Sequence, residues 1–397
     1  MNILIKNVKL VDYNLNFKGD ILIKEGIISK IDENIKEKGI KTIDGKGKTL
    51  MPSFVDTHAH FREPGYEYKE DIETGSKAAL KGGYTGVLLM GNTNPPASSK
   101  KVIEHVLDKS RKLDLIDIYQ AGTITENLDG QTLSHLDEIN DLVGVITDDG
   151  KGVKSSKVLY DAMIYAKEKE LLIMSHTEDP DFTDSDMRLA EDMMTYRDIE
   201  LAKITGAKIH FAHVSTKEAA DRIIKEKKSY PNISFEVTPH HIFSYDKIDY
   251  RVNPPLRKKE DRNYLIECIR KGEVDCIGTD HAPHSKKDKE MGAPGISGIE
   301  VAFQLLYTKL VKEENIPLER LSQIMSKNTA DLLGIKKGRL EVGYQGDLVL
   351  IDEDREEILN PDTFVSKGKN NPFKGEKLYG KIISTIRKGK IMYREED

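Results

Sequence analysis

Residues 157–176 read KVLYDAMIYAKEKELLIMSH, a helix-spaced half followed by a strand-like half. Val158, Leu159, Ala162 and Tyr165 or Ala166 can share one helical face, while Leu171–His176 is a short apolar run ending on a histidine. The same alternation recurs along the chain. Ser53–His58, Tyr84–Met90, Ile116–Gly122, Val143–Asp148, Lys208–His213, Ile233–Thr238 and Val274–Asp280 are runs of this kind, separated by helix-length segments. Together these strand–helix repeats predict an α/β fold, a (β/α)8 TIM barrel, over residues 53–335. A doubly wound open sheet is the competing arrangement, but no glycine-rich phosphate loop follows the first strand.

The two ends of the chain have a different pattern. Ile3–Val11, Asp20–Ile23, Ile27–Ile31, Asp347–Asp352 and Ile382–Met392 are alternating or short apolar runs with no helix between them. They predict a small β-sandwich domain built from both termini, residues 1–52 plus 336–397.

Composition excludes several classes. Lys+Arg number 61 against 67 Asp+Glu, for a formal charge of −6, and the cations form no block, so nucleic acid is not an expected partner. The apolar stretches, such as Val87–Met90 and Leu348–Ile351, are far below the ~20 residues of a membrane span. Met1–Lys6 runs into a strand pattern with no apolar secretory core, and a cytoplasmic location is expected. The only cysteines, Cys268 and Cys276, form neither a CxxC motif nor a disulfide framework.

In a parallel barrel, reactive groups gather where the strands end. Here those ends carry His58 and His60, Asp148–Asp149, His176, His213 and Asp280. Residues i and i+2 of a strand point the same way, so His58 and His60 can grip one cation together. Four imidazoles and two carboxylates, Asp280 and Asp149 rather than its neighbour Asp148, suit two borderline ions, zinc first and cobalt or manganese as substitutes, with one carboxylate bridging and water or hydroxide between them. Such a centre indicates hydrolysis of an amide or ester, with Asp280 as general base and then general acid. Among the remaining histidines, His105 and His135 read as surface residues and His210 and His281 as structural, while His240 and His241 stay unassigned.

Asp56-Thr57-His58-Ala59-His60 resembles the DxHxH signature of the metal-dependent amidohydrolases. Narrower motifs resemble the dihydroorotases of the long bacterial or archaeal form. They are His60-Phe61-Arg62-Glu63-Pro64-Gly65, Met90-Gly91-Asn92-Thr93, Thr147-Asp148-Asp149-Gly150, Asn253-Pro254-Pro255-Leu256-Arg257, Thr279-Asp280-His281-Ala282-Pro283-His284 and, near the end, Ser366-Lys367-Gly368-Lys369. The resemblance implies that Arg62, Asn92 and His284 hold the carboxylate of dihydroorotate, that Asn253 contacts its ring, and that His60, Pro294 and Gly295 also meet the substrate. A guanidinium suits a carboxylate because two parallel N–H groups match its two oxygens. The chain departs from the family pattern at Gly91, where proline is common, and at Thr177, where cysteine is common. Related hydantoinases bridge their metals with a carboxylated lysine, and Lys151 and Lys154 do not match that position.

The resemblance implies reversible cyclisation of N-carbamoyl-L-aspartate to (S)-dihydroorotate plus water in pyrimidine biosynthesis. The rivals are another cyclic amidase without a carboxylate clamp, and an inactive relative acting as a scaffold. Association with aspartate transcarbamoylase belongs to the same expectation, and a homodimer is expected because two-fold homodimers are the commonest closed assemblies. The charged segment Ser285–Gly295 has the composition of a mobile loop that closes over substrate.

Overall fold

The computed structural model describes residues 2–395. Five strands come first: β1 (Ile3–Asp12), β2 (Leu15–Lys24), β3 (Ile27–Asp32), β4 (Lys41–Asp44) and β5 (Thr49–Pro52). Then come the barrel strands β6 (Phe54–Ala59), β7 (Tyr84–Leu89), β8 (Asp117–Gln120), β9 (Val145–Ile146), β10 (Leu172–Ser175), β11 (Ile209–Phe211), β12 (Ile233–Val237) and β13 (Cys276–Ile277). The chain ends in β14 (Leu348–Ile358), β15 (Lys377–Arg387) and β16 (Lys390–Arg394).

Each of the eight β-rich runs corresponds to one barrel strand, β6 extending one residue beyond its run to Ala59, and the strands pair in parallel as β6–β7–β8 and β9 through β13. Single bridges close the ring, from Gly122 to Ile146 between β8 and β9 and from Ala59 to His281 between β13 and β6. Side-chain alternation divides each strand between two cores. Val87, Leu89, Ile173, Ile209, Phe211 and Phe235 pack outward in the large core shared with the helices. Leu88, Met90, Ala121, Val145, Leu172, Met174 and Ala212 form a separate cluster. The strand parity assigns this second cluster to the barrel interior, beneath the site.

The terminal strands form one eight-stranded sheet, ordered β16-β15-β14-β5-β1-β2-β3, with β4 also paired to β1. Ile3, Ile5, Ile21, Ile23 and Ile28 from the first half meet Leu50, Leu348 and Ile386 from the second in one apolar core, so the sheet folds over itself as a sandwich. Three details differ from the sequence pattern. The run Ile382–Met392 is not one strand but the end of β15, a turn and the start of β16, because Lys388 and Gly389 take positive φ and form a hairpin turn. Strands β4 and β5 carry no strong apolar alternation and exist through pairing, β4 with β1 and β5 between β1 and β14. Between β14 and β15, residues 359–376 leave the sheet, and Leu359, Phe364 and Phe373 pack against Val252, Ile296 and Val301 of the barrel segment. Among the described residues, no helix is long and apolar enough to cross a membrane.

Candidate metal centre and active site

The site is built at and just past the ends of the barrel strands, by inner-face parity at His176 and by a left-handed turn at His213, which comes two residues after outward-packing Phe211. His176 follows Leu172 and Met174 at the same parity, and His58 stands two residues after Asp56. His213, Asp149 and Asp280 follow β11, β9 and β13. All six predicted ligands are buried. His213 and Asp280 hold left-handed backbone angles, φ 37° and 45°, and so does Arg62 at φ 62°. Non-glycine residues seldom adopt this region, and its cost, of order 1–3 kcal/mol each, is met by the packing around a functional site.

The Asp149 carboxylate sits between two histidine pairs. Its Oδ1 is 3.3 Å from His58 Nε2 and 3.3 Å from His176 Nδ1, with His213 Nε2 at 3.8 Å, and its Oδ2 is 3.5 Å from His60 Nε2. Asp280 Oδ1 lies 3.2 Å from His60 Nε2 and 3.8 Å from His58 Nε2. Two ligand groups result, His58 with Asp149 and His213, and His58 with His60 and Asp280. Asp148, by contrast, turns away and accepts from the Ile124 and Thr125 backbone N–H groups and the Thr125 hydroxyl.

Further groups orient these side chains. Glu236, fully buried, accepts from His58 Nδ1 at 2.8 Å, lies 3.3 Å from His210 Nε2, and accepts from the Thr57 hydroxyl. Asn92 Oδ1 pairs with His60 Nδ1 at 2.9 Å and its Nδ2 donates to Asp149 Oδ2 at 3.0 Å. Glu178 pairs with His176 Nε2 at 3.0 Å. Asp56 belongs to neither ligand group; it accepts from Thr279 N, Thr279 Oγ1 and His58 N, clasping β6 to the segment after β13. Burial pushes its carboxyl up to about 7.

The electrostatics favour a cation. Burial works against charge at Asp149 and Asp280, yet the surrounding histidines hold both carboxyls far below the ordinary range. Burial likewise opposes a charged His176, but Asp149 and Glu178 raise it to about 9. Buried His58 Nε2 faces both carboxylates without a hydrogen-bond partner among the described residues. An imidazole nitrogen held this way, with its Nδ1 fixed by Glu236, has the orientation of a metal ligand, and the mixed nitrogen and oxygen donors fit a borderline divalent ion.

One cavity of about 190 Å³ joins this cluster to a polar wall. Its lining includes His60, Asn92, Asp149, His176, His213 and Asp280 of the cluster together with Arg62, Asn253, His284, Pro294 and Gly295. Arg62 Nε donates to Pro283 O at 3.2 Å and its Nη2 is 3.2 Å from His284 Nε2. Burial and the neighbouring Arg62 depress the His284 imidazole to about 3, so Arg62 is the cation of the pair.

Comparison with known proteins agrees with this arrangement. The amidohydrolase family profile matches residues 49–392. The chain belongs to the amidohydrolase family. Among curated members, a dihydroorotase of Clostridium botulinum is 53% identical over 100% of both chains. A dihydroorotase of Caldanaerobacter subterraneus is 38% identical over 100% of this chain and 98% of its own. In fold, an L-hydantoinase (dihydropyrimidinase) from Arthrobacter aurescens superposes with TM-score 0.92 over 100% of this chain and 97% of its own, at 24% identity. A D-hydantoinase superposes at TM-score 0.91 and 26% identity, over 99% and 95%.

Within this amidohydrolase, neither lysine near the end of β9 approaches the cluster. Lys151 Nζ reaches Leu128 O and Lys154 Nζ reaches Asp181 on the surface. His105 is exposed beside Glu63. His135, expected at the surface, is buried with Nε2 against Thr123 O, because the loop around it folds over the end of β8. His210 and His281 are buried in hydrogen-bond networks. His241 is held by Thr238 and the Pro254 carbonyl, and His240 is buried beside it. The segment Ser285–Gly295 contains a capped helical turn, Lys286–Glu290, and Lys289 Nζ donates to the Arg251, Ala293 and Gly295 carbonyls. Sequence reasoning missed Glu236 and Glu178. A glutamate between Phe235 and Val237 in a buried strand was the available signal for the first.

Proposed function

We propose that the protein is a dihydroorotase. It interconverts N-carbamoyl-L-aspartate and (S)-dihydroorotate plus water in pyrimidine biosynthesis, with the barrel (53–335) and the terminal β module (1–52 and 336–397) as its domains. The observation that carries this reading is one cavity lined both by the buried His/Asp cluster, with Asn92 bonded to His60 and Asp149, and by the Arg62–His284 pair. End-to-end similarity to proteins named dihydroorotase supports it.

His58, His60, Asp149, His176, His213 and Asp280 would hold two divalent ions, zinc first by ligand type. When bound, the ions supply Lewis acidity, lowering the pKa of water and polarising an amide carbonyl. Arg62, with Asn92 and His284, binds the substrate carboxylate and fixes the ring amide against the cluster. Asn253 contacts the ring, and the backbone at Pro294 and Gly295 closes the wall. Asp280 Oδ1 faces His60 and His58, which leaves Oδ2 to carry the proton. In ring opening, Asp280 takes a proton from the water that adds to the amide carbon and delivers it to the ring nitrogen as the C–N bond breaks. Ring closure reverses each transfer.

Turnover of dihydroorotate, carbamoyl-aspartate, dihydrouracil, hydantoin and allantoin by zinc-replete and chelated protein tests this reading. Chelator-sensitive turnover confined to the first pair is expected; preference for the uncharged rings would replace it with a hydantoinase-like assignment. Arg62→Met should lower kcat/KM for dihydroorotate by roughly 100-fold or more, the scale of a lost charge-assisted, bidentate contact. A homodimer and contact with aspartate transcarbamoylase belong to the same reading, and sedimentation of the protein alone and mixed with that enzyme checks both.

A further inference from the structure

The motif Ser366-Lys367-Gly368-Lys369 has no part in the chemistry above, yet its segment reaches the cavity wall. It belongs to residues 359–376, which leave the terminal sheet and lie against the barrel. Ser366 bonds buried Glu70, and Lys369 Nζ turns back on the Phe364 and Ser366 carbonyls. These contacts present Asn370 to the two stretches that form the substrate side of the cavity.

Asn370 uses its whole amide there. Its Oδ1 accepts from the His284 backbone N–H at 2.8 Å and from Ser297 Oγ at 2.7 Å. Its Nδ2 donates to Ala282 O at 3.1 Å and Gly295 O at 3.0 Å. The Asn370 carbonyl also accepts from Ser297 N at 2.9 Å. Ala282, His284 and Gly295 all line the cavity, whereas Asn370 and Ser297 do not. The two stretches are packed closely: at Gly295, φ +129°, an added Cβ would stand 2.7 Å from Ala282 Cβ and 3.3 Å from His284 Cδ2. Between Ala282 and His284 lies Pro283, whose carbonyl holds Arg62 Nε. One amide therefore fixes the spacing of both stretches and, through Pro283, the anchor of the guanidinium.

We propose that Asn370 is a positioning residue for substrate specificity, holding the Ala282–His284 and Gly295 stretches where Arg62 and His284 can clasp a carboxylate. The proposal rests on the dihydroorotase reading. Its physical content is that Asn370 acts on binding of the charged substrate and not on the proton transfer at Asp280, because its contacts reach only the clamp side of the cavity.

The test is steady-state kinetics of zinc-replete Asn370→Ala and Ser297→Ala with dihydroorotate and carbamoyl-aspartate, beside Lys374→Ala, which removes only an exposed pair with Asp362 in the same segment. For Asn370→Ala, KM for both substrates should rise roughly tenfold with kcat within about twofold. Ser297→Ala, which loosens Asn370 without touching the wall, should shift KM the same way by a smaller factor, and Lys374→Ala should shift neither constant. Partial unfolding lowers kcat by reducing active enzyme but leaves KM unchanged, so a merely structural role gives the opposite split. Unchanged KM in Asn370→Ala overturns the proposal, and if that variant does not fold, unchanged KM in Ser297→Ala does so. Failure of the wild-type protein to turn over either substrate instead overturns the functional reading on which the proposal stands.

Discussion

At the scale of single residues, the site depends on side chains whose second polar atom is already committed. His58 presents Nε2 to the cluster because Nδ1 is taken by Glu236, and His60 does the same because Nδ1 is taken by Asn92. Fixing the far nitrogen sets the ring orientation and makes the near one a better donor. Glu236 has little room to adjust, since a Cβ at Gly278 would stand 2.5 Å from its carboxylate. Glu236→Gln keeps the shape but loses the charge that binds the imidazole N–H. It should weaken metal retention by ~10–100-fold, measured by competition with a chromogenic chelator. Retention equal to wild type would show that His58 is oriented by packing alone.

At the scale of elements, a buried ion network joins barrel and terminal sheet. Lys337, almost wholly buried, reaches Asp347 at 2.6 Å beside β14 and Asp117 at 2.5 Å at the start of β8. Arg387, at the end of β15, also reaches Asp117 at 2.5 Å. Burial opposes the Asp117 charge, but Lys337 and Arg387 outweigh it and bring the carboxyl down to about 2 from its usual 3.8. A carboxyl depressed by folding adds stability above its unfolded pKa and loses it as pH falls through the folded one. Stability should therefore decline between about pH 4 and pH 2, and Asp117→Asn should flatten that limb in urea titrations at stepped pH. At neutral pH, Lys337→Met leaves buried Asp347 without its cation and Asp117 to Arg387, and should cost about 3–5 kcal/mol in the same measurement.

For the whole molecule, the two candidate ligand groups draw on β6, the residue after it and the ends of β9, β11 and β13, so bound ions would tie non-adjacent staves of one barrel together. A ligand that binds only the folded chain stabilises it by mass action, about 2.7 kcal/mol at 100 times its Kd. Chelation should lower the Tm by several degrees, and added zinc should restore it. A Tm indifferent to both treatments would separate the His/Asp cluster from metal binding.

The sequence by itself determined the eight barrel strands, because short β-rich runs and amphipathic helices declare themselves through local periodicity. Barrel closure then gathers strand ends, so the convergence of His58, His60, His176, His213 and Asp280 could be expected from position alone, while Arg62 and His284 are singled out only through the resemblance to dihydroorotases. Only the tertiary structure decided what depends on distant partners. Strand β4 forms because β1 is there to pair with it, and β5 because β1 and β14 flank it. Glu236 meets His58 across 178 residues of chain, and Asn370 meets His284 across 86. A hydrogen bond between residues so far apart leaves no periodic trace in either segment, since its geometry is created when the barrel closes and the terminal module docks on it.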